Sequence, residues 1–229
     1  MRNENRSLGD VHRLDSETNA VLRSEVRWGR AAGVSAGLSL LFLLVYGGCL
    51  WITSRRHDVG VFYFSWERAI PFVPFMILPY LSIDLFFVAA PFLLPNERVL
   101  SLYARRVAAA IILAGIGFLL FPLRFAFPRP QADGWLGSLF DWFRGLDAPN
   151  NLFPSLHAAL LLLLIDVYAR YTRGLSRLAV MIWFSLVALS PLLTRQHHLI
   201  DILGGFALAG ICFRFIRPKI CLDSGQKNP

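Results

Sequence analysis

Charged residues and cysteines are scarce in this sequence. Asp, Glu, Lys and Arg together make up only 17% of its 229 residues, less than the roughly 25% that is usual in soluble domains. A disordered chain is excluded, because hydrophobic residues make up 55% of the sequence and aromatic residues 14%. The three cysteines, Cys49, Cys212 and Cys221, are too few and too scattered for a disulfide framework or a zinc site.

The apolar residues are arranged in long runs. The mean hydropathy is +0.52, and several runs approach the length of about 20 residues that a helix needs to cross a bilayer. Such runs would have no lipid to face in a soluble protein, so we expect an integral membrane protein. The formal net charge is +8, but most basic residues lie between the apolar runs, as in cytoplasmic loops. We therefore expect the bilayer as a partner, and no nucleic acid.

The apolar runs predict an all-α fold, a polytopic membrane protein with a bundle of six transmembrane helices. We place the spans at residues 31–53, 70–94, 104–122, 154–169, 177–193 and 198–216. Residues 1–30 then form a polar tail, residues 31–217 one membrane domain, and residues 218–229 a second tail. Most of the 23 Lys and Arg residues lie on the side of these tails. We therefore expect both termini in the cytoplasm of a multi-pass protein of the cell membrane.

The longest connection, residues 123–153, carries an aromatic patch. Its members follow helical spacing and are Trp135, Leu136, Leu139, Phe140, Trp142 and Phe143. A helix of this kind suits the membrane interface, and it suits a packed extracytoplasmic cap about as well. The sequence alone leaves both interpretations open.

Polar segments follow the third span and open the fourth and sixth spans, all at the extracytoplasmic face. Their chemistry-bearing residues are Arg124, Arg129, Ser155, His157, Arg195, His197 and Asp201. Arginines on this face run against the usual charge bias, so they need another explanation. Guanidinium groups match the oxygens of a phosphate ester, and the first turn of the fourth helix adds free amides and a serine hydroxyl. This inventory is the one required to hold and cleave a phosphate ester.

His197 and Asp201 stand four residues apart, so they share one helix face. The carboxylate can hold one imidazole nitrogen while the other nitrogen points outward as a nucleophile or base. His198 has Ile202 at its own fourth position, so we predict that His197 is the histidine with an orienting acid. The set of His157, His197 and Asp201 also suits a divalent metal, but the nearby arginines would repel such a cation.

Two further aspartates lie within predicted spans. Asp84 is near the middle of the second span, too deep to reach a phosphate group at the outer face, so we expect it to form a polar bond to a neighbouring helix. Asp166 lies about 13 Å beyond His157 along the fourth helix, and we place it at the cytoplasmic interface.

Three ordered motifs match a known family pattern. They are a basic stretch ending in Arg129-Pro130, the sequence Pro154-Ser155-Leu156-His157, and Arg195 followed by His197-x-x-x-Asp201. Over roughly residues 68–210 the chain resembles the type 2 phosphatidic acid phosphatase and vanadium haloperoxidase superfamily. Leu156, where glycine is usual, and the stretch that starts at Ile70 look most like the inositol phosphorylceramide synthase branch.

The resemblance implies a role for each matched residue. His197 would attack phosphorus and form a phosphohistidine, Asp201 would orient it, and His157 would protonate the leaving lipid alkoxide. The residues implied to bind the phosphoryl oxygens are Arg129, Ser155 and Arg195.

The chain departs from the family pattern at two places. The first basic residue of the pattern falls at Pro122, and the nearest substitute is Arg124. Arg195 precedes His197 by fewer residues than is common, as in the synthase branch.

The function implied by the resemblance is that of a lipid phosphatase without a metal or other cofactor. It would hydrolyse a lipid phosphate monoester or pyrophosphate, so the expected partner is a lipid phosphate substrate. With a lipid or polyol hydroxyl in place of water, the same site would make a phosphotransferase of the inositol phosphorylceramide synthase type. An anion-selective transporter that uses the arginines for selectivity is the alternative from another class.

Overall fold

The computed structural model describes residues 4–146 and 150–218 of the chain. Within these ranges the fold is a bundle of α-helices without a β-strand, and the helices are α1 (Glu4–Thr53), α2 (Ile77–Leu93), α3 (Glu97–Leu120), α4 (Gly134–Leu146), α5 (Leu156–Tyr171), α6 (Gly174–Leu193) and α7 (Leu199–Phe215). Two short 3-10 turns, Ser65–Ala69 and Pro74–Met76, precede α2. The all-α prediction is thus confirmed for the described residues.

Four helical segments of the described chain are long and apolar enough to cross a membrane. They are Trp28–Thr53, Pro74–Leu93, Glu97–Leu120 and Gly174–Leu193. The predicted fourth and sixth spans form α5 and α7, with only 16 and 17 residues. At 1.5 Å per residue these helices are about 24 to 26 Å long, shorter than the hydrocarbon core of about 30 Å. The most central helix is α5, which packs against α2, α3, α6 and α7.

Capping residues explain where the helices begin. Asn96 starts α3 well before the predicted residue 104, because its side chain accepts a hydrogen bond from the backbone N–H of Val99 at 3.1 Å. Ser155 caps α5 by accepting from the N–H of Ala158 at 3.2 Å. Pro154 therefore precedes this helix, whereas the sequence placed it in the first helical turn. At the amino terminus, the helix of the first span extends back into the predicted polar tail as far as Glu4.

The ends of several helices meet at one end of the bundle, which we call the site end. Arg56 after α1 donates to the carbonyl of Leu119 near the end of α3 at 2.6 Å. Val73 before α2 donates its N–H to the carbonyl of Leu193 at the end of α6 at 2.9 Å. The starts of α5 and α7 lie here too, and their contact is described next. The polar segments that the sequence placed at one depth thus come from the same end of the bundle.

The start of α7 packs unusually closely on the start of α5. The backbone N–H of Ser155 donates to the carbonyl of Asp201 at 2.9 Å. A Cβ atom at Gly205 would lie 2.2 Å from the carbonyl oxygen of Ser155, a distance that no side chain tolerates. Glycine is required at this position because the two backbones approach each other.

The aromatic connection folds as α4. Each of the two interpretations that the sequence left open describes one face of this helix. Leu136 and Phe140 are buried in a cluster with Ile77 and Tyr80, so this face is a packed cap on the start of α2. The opposite face exposes its tryptophans, and Trp142 is 60% exposed. Such a face suits the interface with lipid headgroups.

Asp166 lies far from the site end. Its carboxylate forms ion pairs with Arg106 at 3.4 Å and with Arg170 at 2.6 Å. Asp166 is therefore paired with these two arginines and not with His157.

The contact between α5 and α7 gives the first prediction. We expect Gly205→Ala to lower the stability of the protein by about 1 to 3 kcal/mol, the usual cost of forcing extra volume into packed structure, and to displace His197 from Ser155. Thermal unfolding in detergent measures the first effect. Gly210→Ala is the matched control, because a Cβ at Gly210 meets nothing within 4 Å. Equal melting temperatures for the two variants would contradict the account.

Candidate active site

Ser155 stands at the centre of the site end and is fully buried. Its Oγ accepts the capping hydrogen bond from Ala158 and lies 3.4 Å from Nε2 of His197. The amides of Leu156 and His157, in the first turn of α5, have no acceptor within the helix. The hydroxyl proton of Ser155 and these amides can therefore be directed at an anion beside His197.

His197 and Asp201 approach each other, as their spacing predicted, but they do not share a helix face, because α7 begins only at Leu199 and His197 precedes it. Their geometry is looser than a closed hydrogen bond. Nδ1 of His197 lies 3.6 Å from Oδ2 of Asp201, beyond hydrogen-bond distance. Oδ2 already accepts from the backbone N–H of His198 at 2.8 Å. Among the described residues, Nδ1 of His197 and Oδ1 of Asp201 have no hydrogen-bond partner. A rotation of the carboxylate is needed to join them, which is common in sites without substrate.

His157 follows the cap of α5 and is held by two contacts. Its ring stacks on Tyr80 with centroids 4.5 Å apart, and its Nε2 lies 3.4 Å from the backbone carbonyl of Val187 in α6. A carbonyl only accepts, so this contact places a proton on Nε2. His157 and His197 line one cavity, so both histidines lie on the same side of the bundle.

The cavity under the two histidines is large and mostly apolar. Its volume is about 380 Å³. The walls come from α1, α2, α3, α4 and α5, and they include Phe42, Tyr46, Ile83, Phe118, Trp142 and Leu160. Leu43 lies in the same wall and is 64% exposed on the side of the bundle. The cavity therefore reaches from the catalytic candidates to a surface that faces lipid in a membrane.

Asp84 also lines this cavity. The predicted polar bond from Asp84 to a neighbouring helix is wrong. The Asp84 carboxylate forms no hydrogen bond or ion pair with any residue that the structure describes. The physical reason is that the side chain points into the cavity between α1 and α2 instead of into a helix contact.

Arg195 lies between the end of α6 and the start of α7, in a tight turn with φ of 54°. Its guanidinium donates to the carbonyl of Ile70 at 3.0 Å and lies 5.8 Å from the ring centroid of Phe127. Arg195 and His197 line a second, small cavity together. The structure therefore brings Ser155, His157, Arg195, His197 and Asp201 together at the site end.

The two arginines of the first motif are placed differently. Arg124 is exposed, and its backbone N–H donates to Gly60 at 2.9 Å. Arg129 is half-buried, and its Nε is buried without a hydrogen-bond partner among the described residues. Neither shows a direct contact with His197 in the described part of the chain. Arg129 instead lies close enough to Arg144 of α4 for the two charges to interact. The sequence analysis did not single out Arg144.

Glu67 is a second residue that the sequence analysis missed. Its carboxylate lies 2.6 Å from Nδ1 of His198, and Nε2 of His198 accepts from the N–H of Ala126 at 3.0 Å. Because Nε2 accepts, the proton is on Nδ1 and is donated to Glu67. The spacing of the sequence predicts an orienting acid for His197 alone. In the structure His198 has a closer acid, Glu67, which comes from a distant part of the chain. With both nitrogens bonded, His198 holds the loops in place and is not free to attack.

The alternative interpretation of the site is a metal centre. Among the residues that the structure describes, no group of three or more His, Cys, Asp or Glu side chains is arranged to hold a metal ion.

The buried contact of Glu67 gives the second prediction. Glu67→Ala leaves Nδ1 of His198 buried without an acceptor, so we expect a loss of about 2 to 3 kcal/mol in the free energy of unfolding. Glu97→Ala is the control, because Glu97 pairs with Arg30 at 3.2 Å on the surface, where such pairs contribute less than about 1 kcal/mol. Denaturant unfolding in detergent measures both. A smaller loss for Glu67→Ala than for Glu97→Ala would refute the structural role of Glu67.

Comparison with known proteins gives one family match. The family model described as the PAP2 superfamily matches residues 103–220, about half of the chain. The match includes Arg129, Ser155, His157, Arg195, His197 and Asp201. No curated protein and no solved structure matches the chain.

Proposed function

The chain belongs to the PAP2 superfamily, and from this premise we propose that it is an integral membrane lipid phosphatase. It hydrolyses a lipid phosphate monoester or pyrophosphate through a phosphohistidine intermediate, without a metal. One observation carries the proposal: Nε2 of His197 lies 3.4 Å from Oγ of Ser155, at the start of α5, and His157 lines the same cavity. A nucleophile, an anion-binding turn and a second histidine thus surround one space.

The first step transfers the phosphoryl group to His197. Nε2 attacks phosphorus, a nitrogen–phosphorus bond forms, and the bond between phosphorus and the lipid oxygen breaks. Nδ1 keeps its proton and turns it to Asp201 as positive charge develops on the ring. His157, protonated on both ring nitrogens when the substrate is bound, gives one proton to the departing alkoxide and becomes neutral. Water then attacks the phosphohistidine, His157 takes the proton of the water, and inorganic phosphate leaves.

The developing negative charge on the phosphoryl oxygens needs fixed positive groups. Arg195 lines a cavity with His197, and the first-turn amides of α5 supply the positive end of a helix dipole. Ser155 adds a hydroxyl donor. Preorganised donors of this kind account for the largest part of catalysis in phosphoryl transfer.

The apolar cavity supports a lipid as the substrate. A volume of about 380 Å³ below the histidines accommodates part of an acyl or polyprenyl chain. The exposed wall residue Leu43 gives the chain a route from the bilayer between α1 and α2. The phosphate group then stays at the site end while the chain lies in the cavity.

We place the site at the extracytoplasmic face of the cell membrane, with both termini in the cytoplasm. The excess of basic residues in the tails and in the loops on their side supports this orientation. In this arrangement all six predicted spans lie in the bilayer. The short helix α5 is accommodated because other helices of the bundle, α2, α3, α6 and α7, pack around it.

A lipid phosphotransferase of the inositol phosphorylceramide synthase type is the second candidate. The carboxylate of Asp84 favours it, because this side chain lines the cavity and forms no hydrogen bond with described residues. A carboxylate accepts hydrogen bonds from hydroxyl groups, so it can hold an alcohol that takes the place of water.

The third prediction tests the reaction. Purified protein is incubated with radiolabelled phosphatidate and polyprenyl phosphates, and free phosphate is scored against new phosphodiester. We expect His197→Ala to lose at least about 1,000-fold in kcat, as for removal of a nucleophile, and EDTA to have no effect. His57→Ala is the control, because His57 is exposed outside the site.

The outcomes separate the candidates. Free phosphate as the product supports the phosphatase, and a phosphodiester formed only with an added alcohol supports the phosphotransferase. Full activity of His197→Ala would eliminate both. Uptake of phosphate into sealed vesicles without any bond cleavage would instead identify an anion transporter.

The fourth prediction tests the lipid chain in the cavity. Gly47 lines the cavity, and its position is open, since a Cβ there meets nothing within 4 Å. We expect Gly47→Leu to raise KM about tenfold for a long-chain lipid phosphate, because the leucine fills space that the chain needs. A short-chain phosphate should keep its KM.

The matched control for this change is Gly48→Leu. Gly48 has the same open surroundings in α1 and does not line the cavity. Equal KM values for long-chain substrate in both variants would contradict the placement of the chain.

A further inference from the structure

Arg144 in α4 is held beside the arginine of the first motif. One of its terminal nitrogens donates to the carbonyl of Pro130 at 2.8 Å, next to Arg129 in the chain. Its guanidinium carbon lies 4.8 Å from the ring centroid of Phe140. These two contacts fix the guanidinium in one place against the Arg129–Pro130 segment.

Both guanidinium groups have donors without an acceptor in the part of the chain that the structure describes. The Nε atoms of Arg129 and Arg144 are buried and have no hydrogen-bond partner among the described residues. Neither arginine forms an ion pair within that part of the chain. Unpaired buried donors are costly, and for charged groups the cost is greater. An acceptor with negative charge would remove it.

The electrostatics point in the same direction. Burial lowers the pKa of Arg144, and the like charge of Arg129 lowers this pKa further. Asp141 on the same helix opposes the effect, but it is exposed and forms no ion pair with Arg144. Two guanidinium groups are therefore held near each other despite their repulsion, and no carboxylate of residues 4–146 or 150–218 forms an ion pair with either of them.

We propose that Arg144 binds the phosphoryl group of the substrate together with Arg129. In this assignment α4 supplies the first basic residue of the family pattern, whose position in this chain is occupied by Pro122. The inference rests on the proposed function, because the anion is taken to be the phosphate group of the lipid.

The helix that carries Arg144, α4, forms part of the wall of the catalytic cavity. Trp142 and Phe143, its close neighbours in the helix, line this cavity together with His157 and His197. The ring of Phe143 also contacts Tyr80, and the ring of Tyr80 stacks on that of His157. Arg144 is thus carried by the same short helix that closes the cavity beside both histidines.

Arg124, the substitute nearest in sequence, fits this role less well. It is exposed, and its backbone is fixed by the bond to Gly60. Among the described residues, Arg124 has no donor that is both buried and without a partner. The two arginines can therefore be distinguished by experiment.

The fifth prediction uses four variants: Arg144→Gln, Arg144→Lys, Arg124→Gln and Arg55→Gln. We expect Arg144→Gln to lower kcat/KM for a lipid phosphate about 100-fold, the usual effect of losing one donor to developing charge. Arg144→Lys should recover part of this loss, because an ammonium keeps the charge but not the forked geometry. Arg55→Gln, a change at an exposed arginine at the end of α1, should have the wild-type value.

Anion binding is measured separately from turnover, with orthovanadate as the probe. We expect orthovanadate to raise the melting temperature of the wild-type protein and of Arg55→Gln, and to have no such effect on Arg144→Gln. The inference is overturned if Arg144→Gln is stabilised as strongly as the wild type, or if Arg124→Gln alone loses the effect.

The two measurements keep this inference apart from the proposed function. If the wild type cleaves no lipid phosphate but its stabilisation by orthovanadate depends on Arg144, the proposed function fails and the anion site stands. If the wild type cleaves lipid phosphate and Arg144→Gln does so equally well, Arg144 is not part of the site while the proposed function stands.

Discussion

The close contact between the starts of α5 and α7 is the constraint on which the site depends. The bond from Ser155 to the carbonyl of Asp201, at 2.9 Å, joins the cap of one helix to the first turn of the other. Gly205 permits this approach because it has no Cβ. One contact therefore aligns the nucleophile candidate His197 with the anion-binding turn, while the apolar cavity lies directly beneath them. This arrangement suits the polar and apolar halves of the proposed lipid phosphate substrate.

The buried polar atoms without partners are concentrated in the candidate site. Among the described residues there are five such side-chain atoms, and they belong to Tyr103, Arg129, Arg144, His197 and Asp201. Folded proteins normally satisfy buried polar groups, so exceptions need an explanation. Four of these five residues belong to the proposed phosphate site, where an anion and a proton shift during reaction would satisfy them. The site is thus built for a bound state that differs electrostatically from the free one.

Much of the fold and part of the site could be predicted from the sequence, because those features are local. Apolar runs predicted the long helices, and the spacing of His197 and Asp201 predicted their approach, although His197 lies before the first residue of α7. The missed contacts join segments that are far apart in the chain. Glu67 reaches His198 from another loop, and Arg144 reaches the Arg129–Pro130 segment from α4. No spacing rule encodes such pairs. Helix starts were also misplaced where a cap such as Asn96 decides the boundary.

The measurement that tests the central claim most directly is chemical trapping of the intermediate. The protein is mixed with a labelled lipid phosphate, quenched with base within one turnover, digested and examined by mass spectrometry. A phosphohistidine survives base and is lost in acid. The account predicts such a label on the peptide that contains His197, at Nε2 of that residue. A label on Ser155 or His157, or phosphate release without any labelled histidine, would contradict it.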